Sequence, residues 1–300
     1  MNHFAVLRER LSRRCPQLEL RVGEPMSRHT TFRIGGPVAL MALPKEEREA
    51  RQAVAAAHEL GIVPFFLGNG SNLLVPDQGA ERFIIKTSGL DWVRREGNVL
   101  NTGGGITLAR LAHFAQREGL TGLEFAHGIP GSLGGGVTMN AGAYGGELKD
   151  VVRSVTCLDE AGKPEEITDF DFGYRHSAFS DGRRMILSAR LELKPGEAAA
   201  IRERMEELSA QRQAKQPLEY PSAGSMFKRP PGHFAAALID QCGLKGFAVG
   251  GAQVSEKHAG FVVNRGGATC DDVLELVSRV KDIVREKTGV ELEMEVKLLR

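Results

Sequence analysis

The sequence has almost no net charge and no long apolar run. Its 300 residues contain 39 Lys and Arg against 38 Asp and Glu, which leaves a formal net charge of +1. The basic residues are scattered, so we expect no surface for nucleic acid or for a membrane. No apolar run approaches the ~20 residues that cross a bilayer, and residues 1–17 lack the apolar core of a secretory signal. We therefore expect a cytoplasmic protein.

Cysteine is also scarce. Cys15, Cys157, Cys242 and Cys270 lie far apart in the sequence and form no CxxC pair. Disulfide frameworks and zinc sites need closely spaced or numerous cysteines, so we expect reduced thiols and no metal site.

Glycine, in contrast, is plentiful, and it is concentrated in residues 128–146. Eight of these nineteen residues are glycine, and none has a charged side chain. A flexible linker would be polar and repetitive, whereas Ile129, Leu133 and Val137 interrupt this run. Backbone without side chains can approach a ligand closely, and its N–H groups can bind phosphate. The segment therefore predicts contact with a ligand that is rich in phosphate or in flat rings.

A second loop of small residues, 68–72, follows a predicted strand. Its sequence matches neither a Walker A loop nor the G-x-G-x-x-G fingerprint that opens a helix. Successive N–H groups here could bind an anion, or Asn and Gly could simply occupy the left-handed positions of a tight turn. The residues alone leave both interpretations open.

Hydrophobic periodicity predicts a mixed α+β fold. Strands 38–43 and 62–67 flank a helix over 44–60 and form a β-α-β unit. The other predicted elements are strands over 82–86, 99–101, 151–158, 185–193 and 290–299, with 151–158 and 185–193 in an antiparallel meander, and helices over 108–118, 197–213, 233–242 and 271–287.

Several segments resemble a known family. Residues 68–74, 128–135 and 140–145 resemble the FAD-binding signatures of the vanillyl-alcohol oxidase/PCMH-type flavoproteins. Within that fold, residues 173–177, 223–230, 251–264 and 295–297 are similar to motifs of the UDP-N-acetylenolpyruvoylglucosamine reductases, also called UDP-N-acetylmuramate dehydrogenases. The resemblance covers residues 27–297 in order.

The resemblance implies a PCMH-type FAD-binding domain of two subdomains, over 28–194. It also implies a C-terminal α/β substrate-binding domain over 195–300, with residues 1–27 as an N-terminal extension. Only 50 positions separate Arg175 from Ser225, too few for the inserted loop with a substrate-capping tyrosine that one subgroup carries. The chain therefore resembles the shorter type that lacks this loop.

The same resemblance implies the site residues. Arg175, Ser225 and Glu295 would be catalytic, with Ser225 as the proton donor. The UDP-sugar would be bound by Tyr174, Arg212 and Lys215, although the last two could simply cap a helix C-terminus. FAD would be bound by Gly68, Asn69, Gly70, Ser71, Asn72, Gly128, Ile129, Pro130, Gly131, Ser132, Gly134, Gly135, Asn140, Ala141, Gly142 and Ala143.

The implied reaction is the NADPH-dependent reduction of UDP-N-acetylglucosamine enolpyruvate to UDP-N-acetylmuramate by a monomer. His29 and His127 are the histidines nearest to the FAD motifs, and we interpret both as structural, so FAD is expected to bind non-covalently. Lys228 or a chain of waters could assist Ser225. Two alternatives remain open, because a fold does not determine a function. They are an oxidase of a small alcohol or sugar on the same flavin fold, and a binding module without activity.

Overall fold

The computed structural model describes residues 3–299, and it confirms a mixed α+β fold. Within this range the helices are α1 (His3–Arg14), α2 (Glu47–His58), α3 (Leu108–Arg117), α4 (Leu133–Thr138), α5 (Ala198–Lys215), α6 (Ala235–Gln241) and α7 (Cys270–Thr288). The strands are β1 (Glu19–Pro25), β2 (Pro37–Leu43), β3 (Phe65–Leu67), β4 (Leu73–Leu74), β5 (Ala80–Lys86), β6 (Val93–Glu96), β7 (Val99–Gly103), β8 (Leu120–Thr121), β9 (Gly142–Ala143), β10 (Gly146–Glu147), β11 (Val152–Leu158), β12 (Pro164–Ile167), β13 (Met185–Glu192), β14 (Lys194–Pro195), β15 (Ser222–Ser225), β16 (Ala248–Val249), β17 (Ala252–Val254), β18 (Phe261–Asn264) and β19 (Lys297–Leu298).

The chain divides into two compact units, each assembled from three segments. The first contains Met1–Val22, Ala39–Asn69 and Arg82–Gln211, and the second contains Gly23–Val38, Gly70–Glu81 and Arg212–Arg300. The predicted domains, in contrast, follow one another along the chain. The units differ from them because Phe32, Ile34 and Leu74 are buried in the second unit's core. The domain boundaries at 27 and 194 stay a prediction.

The first unit contains a four-stranded sheet in the order β1-β2-β5-β3, in which β3 runs parallel to β5. The predicted β-α-β elements are present as β2, α2 and β3, but β5 lies between the two strands. Helix α1 packs on α2 and buries Leu7 and Leu11, one helical turn apart, in the same core. The N-terminal helix is therefore part of the first unit's hydrophobic core.

A five-stranded antiparallel sheet forms the rest of the first unit, in the order β12-β11-β13-β7-β6. The predicted antiparallel pairing of 151–158 with 185–193 is confirmed as β11 and β13. Helix α3 buries Leu108, Leu111, Ala112 and Ala115, whose spacing is that of one helical face. Thr107 caps its N-terminus by accepting from the Arg110 N–H. This core includes Leu133 and Val137 of α4, so the glycine-rich helix is anchored by its apolar residues.

The second unit is built on an antiparallel sheet in the order β15-β18-β17-β16, with α7 packed against β16 and β17. Helix α7 begins with a capping box of Thr269 and Asp272 and ends at Gly289, which has φ 73°. Val273, Val277, Val280 and Val284 form the buried face that the valine spacing predicts.

The predicted strand over 290–299 is wrong for most of its length. Only Lys297–Leu298 form a strand, β19, which pairs in parallel with β4. Before that, Met294 bridges to Phe227, and the Glu295 N–H donates to the Met226 carbonyl at 2.8 Å. The segment is divided between two different neighbours, so it cannot continue as one regular strand.

The four cysteines are free and buried. Burial raises the pKa of the Cys157 thiol to about 11 and that of Cys270 to about 12, so both are protonated at neutral pH. None of the helices within residues 3–299 has the length and apolar character needed to cross a membrane.

The capping box of α7 generates a pH-dependent stability prediction. Asp272 accepts from the Thr269 N–H at 3.0 Å and the Gly251 N–H at 3.2 Å, and these bonds hold the pKa of its carboxyl below the usual range. A lowered folded-state pKa stabilises the protein above the unfolded-state pKa, and this contribution is lost as pH falls through the folded value. We expect Asp272→Asn to cost about 1 kcal/mol of unfolding free energy at pH 7.

Denaturant unfolding of both proteins between about pH 7 and pH 3 measures this difference, which should shrink only below the carboxylate's unfolded pKa of ~3.9. Thr269→Ser is the matched control, because it keeps the capping hydroxyl and should remain close to the unsubstituted protein. A difference that persists unchanged at the lowest pH would contradict the ionic origin of the effect.

Candidate active site

The loop after β3 brings the two predicted FAD segments of the first unit together. An added Cβ at Gly68 would lie 2.1 Å from Ser132 Oγ, so no side chain fits there. The Asn69 side-chain N–H donates to the Pro130 carbonyl oxygen, 61 positions away in sequence. Ser132 is buried, and its Oγ accepts from the Gly135 N–H at 3.4 Å as the N-cap of α4. The loop is thus seated on the start of the glycine-rich helix.

Gly70 to Asn72 belong to the second unit. Gly70 has φ 63°, and an added Cβ would lie 2.1 Å from the His29 carbonyl oxygen. Asn72 donates its side-chain N–H to the Glu295 carbonyl at 3.3 Å, and its own carbonyl accepts from the Lys297 N–H at 3.1 Å. This predicted FAD residue therefore holds the backbone beside a predicted catalytic residue.

The donors of this loop fit a phosphate-bearing cofactor. Among the described residues, the backbone N–H groups of Asn69, Gly70 and Ser71 have no protein acceptor. Neither 68–72 nor 128–146 contains an acidic side chain that would repel an anion. Three successive N–H groups without protein acceptors are a donor set that binds phosphate oxygens. The residues present therefore fit the FAD that the sequence resemblance implies.

Some glycines of residues 128–146 are required by contacts within the protein. An added Cβ at Gly136 would lie 2.8 Å from a Leu148 methyl, and one at Gly146 would lie 2.5 Å from the Phe125 ring. Gly142 opens a two-stranded ladder of β9 and β10, which is closed by Tyr144 at φ 53° and Gly145 at φ 88°. Part of the glycine content therefore serves packing within the protein.

Predicted residues Tyr174 and Arg175 form the tip of a turn. Gly173 and His176 close it with two backbone hydrogen bonds of 3.1 and 3.3 Å. Arg175 has φ 55°, a left-handed conformation that costs roughly 1–2 kcal/mol for a residue with a side chain. Tyr174 is 58% exposed, and the Arg175 guanidinium carbon lies 5.5 Å from the centre of its ring. The turn exposes Tyr174 at the surface of the first unit, whereas Arg175 is half-buried and its Nε does not contact solvent.

The two ends of this turn are fixed to the end of α4. Ser177 is buried and donates its hydroxyl to the carbonyl of Thr138, the last residue of α4, at 2.9 Å. Asn140, two residues later, donates to the Gly173 carbonyl at 3.1 Å. Sequence reasoning assigned Asn140 to FAD and missed this contact, since its partner is 33 positions away.

In the second unit the structure brings Ser225 and Glu295 onto adjacent backbone segments. Ser225 ends β15, opposite Phe261 of β18. The next residue, Met226, accepts the Glu295 N–H through its carbonyl at 2.8 Å. Lys228 pairs with Glu293 instead, with 2.5 Å between Nζ and Oε1.

Arg212 and Lys215 lie in the last turn of α5, where positive side chains interact favourably with the helix dipole. Arg212 is half-buried and Lys215 is exposed. Their contact with a nucleotide sugar stays a prediction.

The two histidines near the FAD motifs contact other side chains. His29 Nε2 lies 2.8 Å from Glu24 Oε1, and His127 Nε2 lies 3.2 Å from His113 Nε2. Within residues 3–299, no group of three or more His, Cys, Asp or Glu side chains could hold a metal ion.

Comparison with known protein families assigns a family to each of two parts of the chain. Residues 38–168 match the model of an FAD-binding domain family, and residues 216–299 match that of the C-terminal domain of UDP-N-acetylenolpyruvoylglucosamine reductase.

Full-length relatives carry the same name. The reductase of Caldanaerobacter subterraneus is 45% identical over 98% of each chain. That of Listeria monocytogenes is 45% identical over 96% of this chain and 98% of its own. The crystal structure of the Thermus caldophilus reductase is 35% identical, with a TM-score of 0.81, and covers 95% of this chain and 99% of its own. The chain belongs to the UDP-N-acetylenolpyruvoylglucosamine reductase family.

Proposed function

We propose that the chain catalyses the NADPH-dependent, FAD-mediated reduction of UDP-N-acetylglucosamine enolpyruvate to UDP-N-acetylmuramate, in the synthesis of peptidoglycan precursors. Family membership over nearly the whole chain supports this reaction. The observation that carries it is the turn of residues 173–176, which holds Arg175 in a strained conformation beside the exposed Tyr174. Strained backbone conformations cluster at functional sites.

Residues 68–72 and 128–143 would hold FAD, chiefly through backbone N–H groups and close approach at glycine. Bound FAD supplies the transfer of hydride from NADPH to the methylene carbon of the enolpyruvyl group. The protein then has to bind the substrate, stabilise the negative charge that builds on its carboxylate, and deliver one proton to the adjacent carbon.

Arg175 would bind the substrate carboxylate. A guanidinium matches a carboxylate with two parallel hydrogen bonds, and a fixed cation aimed at developing charge is often the largest catalytic contribution. The backbone of the turn fixes the base of this side chain, which reduces the reorganisation needed when charge develops.

Glu295 and Ser225 would complete the reaction. A protonated Glu295 would donate a hydrogen bond to the enolate that forms on the substrate. Ser225 would pass its hydroxyl proton to the α-carbon, which together with the hydride converts the double bond into the lactyl group. Lys228 is paired with Glu293, so we favour water as the source that returns a proton to Ser225.

Tyr174, Arg212 and Lys215 would contact the UDP-sugar, and the domains would be 28–194 and 195–300. The chain would act as a monomer in the cytoplasm, which size-exclusion chromatography with light scattering and cell fractionation would examine.

The main test separates the two half-reactions in the absence of oxygen. The purified protein should show a flavin spectrum, NADPH should bleach it, and UDP-N-acetylglucosamine enolpyruvate should restore it. Failure of the substrate to reoxidise the flavin would overturn the proposal. Fast reoxidation by air alone would instead favour the oxidase on the same flavin fold.

Replacing Ser225 tests the proton donor. We expect Ser225→Ala to leave flavin reduction by NADPH intact and to slow reoxidation by substrate by ~10²–10⁴-fold, the usual contribution of a positioned proton donor. Ser222→Ala, in the same strand, is the matched control and should leave both rates unchanged. Equal losses in the two half-reactions would argue against this role.

Replacing Gly68 tests the FAD loop. The added methyl of Gly68→Ala would displace Ser132 Oγ or move the loop away, and we expect FAD affinity to fall about tenfold, or ~1.4 kcal/mol. Titration of the stripped protein with FAD measures this. Gly97→Ala is the control for a general loss of stability, because its Cβ would enter open space although Gly97 has φ 61°. Equal FAD affinity in both variants would show that the close contact is unimportant for binding.

A further inference from the structure

Asn140 lies at the centre of a hydrogen-bond network in the first unit. It is only 3% exposed and has φ 42°. Its side-chain Nδ2 donates to Glu147 Oε2 at 2.9 Å and to the Gly173 carbonyl at 3.1 Å, and its Oδ1 accepts from the Lys149 N–H at 3.1 Å. A primary amide has two N–H donors, so both donors are already used within the protein.

These bonds connect three backbone segments. Asn140 follows α4, Glu147 and Lys149 follow the β9–β10 turn, and Gly173 begins the turn that carries Arg175. A buried amide that reaches its full set of partners rigidifies the segments that it joins. Removing it would leave the Gly173 carbonyl without this donor.

The turn of Arg175 depends on such support. Its own backbone hydrogen bonds are long, at 3.1 and 3.3 Å, and Tyr174 at its tip is mostly exposed. The positive φ of Arg175 also disfavours the turn conformation. Ser177 fixes the far end through Thr138, and Asn140 fixes the near end through Gly173.

The charges around Asn140 also help to place Arg175. Lys149 Nζ lies 2.7 Å from Glu147 Oε2. This bond, the bond from Asn140 and the positive charge of Arg175 hold the pKa of the Glu147 carboxyl below its usual range. Glu147 therefore stays ionised at neutral pH and attracts the Arg175 guanidinium toward this side of the first unit.

We propose that Asn140 is a positioning residue for Arg175 rather than a ligand of FAD. Its amide fixes Gly173 and orients Glu147, and through them it sets where the guanidinium meets the substrate carboxylate. This inference rests on the proposed function, since Arg175 acts on that carboxylate.

Asn140→Asp is the single substitution that tests this positioning role most directly. Aspartate tolerates a positive φ and keeps an oxygen for the Lys149 N–H, but it replaces both donors with a carboxylate that faces Glu147 and the Gly173 carbonyl. We expect a normal flavin content per chain and ~10–100-fold slower reoxidation of the reduced flavin by substrate, because small misplacement of a binding group costs rate on this scale. Loss of flavin with normal reoxidation of the flavin that remains would make Asn140 a cofactor ligand and overturn the proposal.

A double-mutant cycle with Arg175→Ala separates positioning from general damage. If Asn140 acts through Arg175, Asn140→Asp should slow reoxidation by less than about threefold further in the Arg175→Ala protein. If the reoxidation rate of the double variant falls by the product of the two single-variant fold-changes, the proposal is overturned. Asn140→Gly, which suits the positive φ and adds no charge, should give the same non-additivity if the aspartate variant does not fold.

Asn264→Asp is the matched control for loss of stability. Asn264 is also buried, donates to the Phe32 carbonyl at 3.2 Å and accepts two backbone N–H groups. The fold-change that Asn264→Asp causes in the reoxidation rate should be the same in the unsubstituted protein and in the Arg175→Ala protein. If substrate does not reoxidise the flavin of the unsubstituted protein, the proposed function fails. If it does and the Asn140 cycle is additive, only the positioning role fails.

Discussion

The close approach of Gly68 to Ser132 fixes how the two predicted cofactor segments of the first unit meet. With 2.1 Å between a hypothetical Cβ and the serine oxygen, the loop can lie on the start of α4 only because residue 68 is glycine. Ser132 is held in turn by its role as N-cap, and α4 is held by Leu133 and Val137 in the core. The position of the loop is thus determined by packing before any ligand binds.

The same six-residue helix also determines the position of the Arg175 turn. Thr138 at its end accepts the Ser177 hydroxyl, and Asn140 just beyond it holds the Gly173 carbonyl. The second unit repeats this arrangement on a smaller scale, because Asn72 of the other predicted FAD segment donates to the Glu295 carbonyl. In both units an asparagine in a predicted cofactor motif fixes backbone next to a predicted catalytic residue. A substitution at either position therefore changes more than cofactor contacts.

The sequence predicts what is local in this structure. The valine spacing of α7 and the leucine and alanine spacing of α3 each determine one buried face. The strand predicted over 290–299 failed because its alternation is compatible with a strand, while its actual partners, Phe227 and β4, lie in distant parts of the chain. Residue type likewise indicates that Asn140 binds something polar, but only the tertiary structure identifies Glu147 and Gly173.

The energetics of the Arg175 turn explain why the Asn140 amide, 33 positions from Gly173 in the sequence, helps to set the position of the turn. The left-handed conformation of Arg175 costs roughly 1–2 kcal/mol, and each intramolecular hydrogen bond returns only about 1 kcal/mol net. The turn's own two bonds therefore do little more than offset its strain. The bonds from Asn140 and Ser177 supply the remaining preference for one position, so the placement of the guanidinium follows from side chains that lie outside the turn's tip.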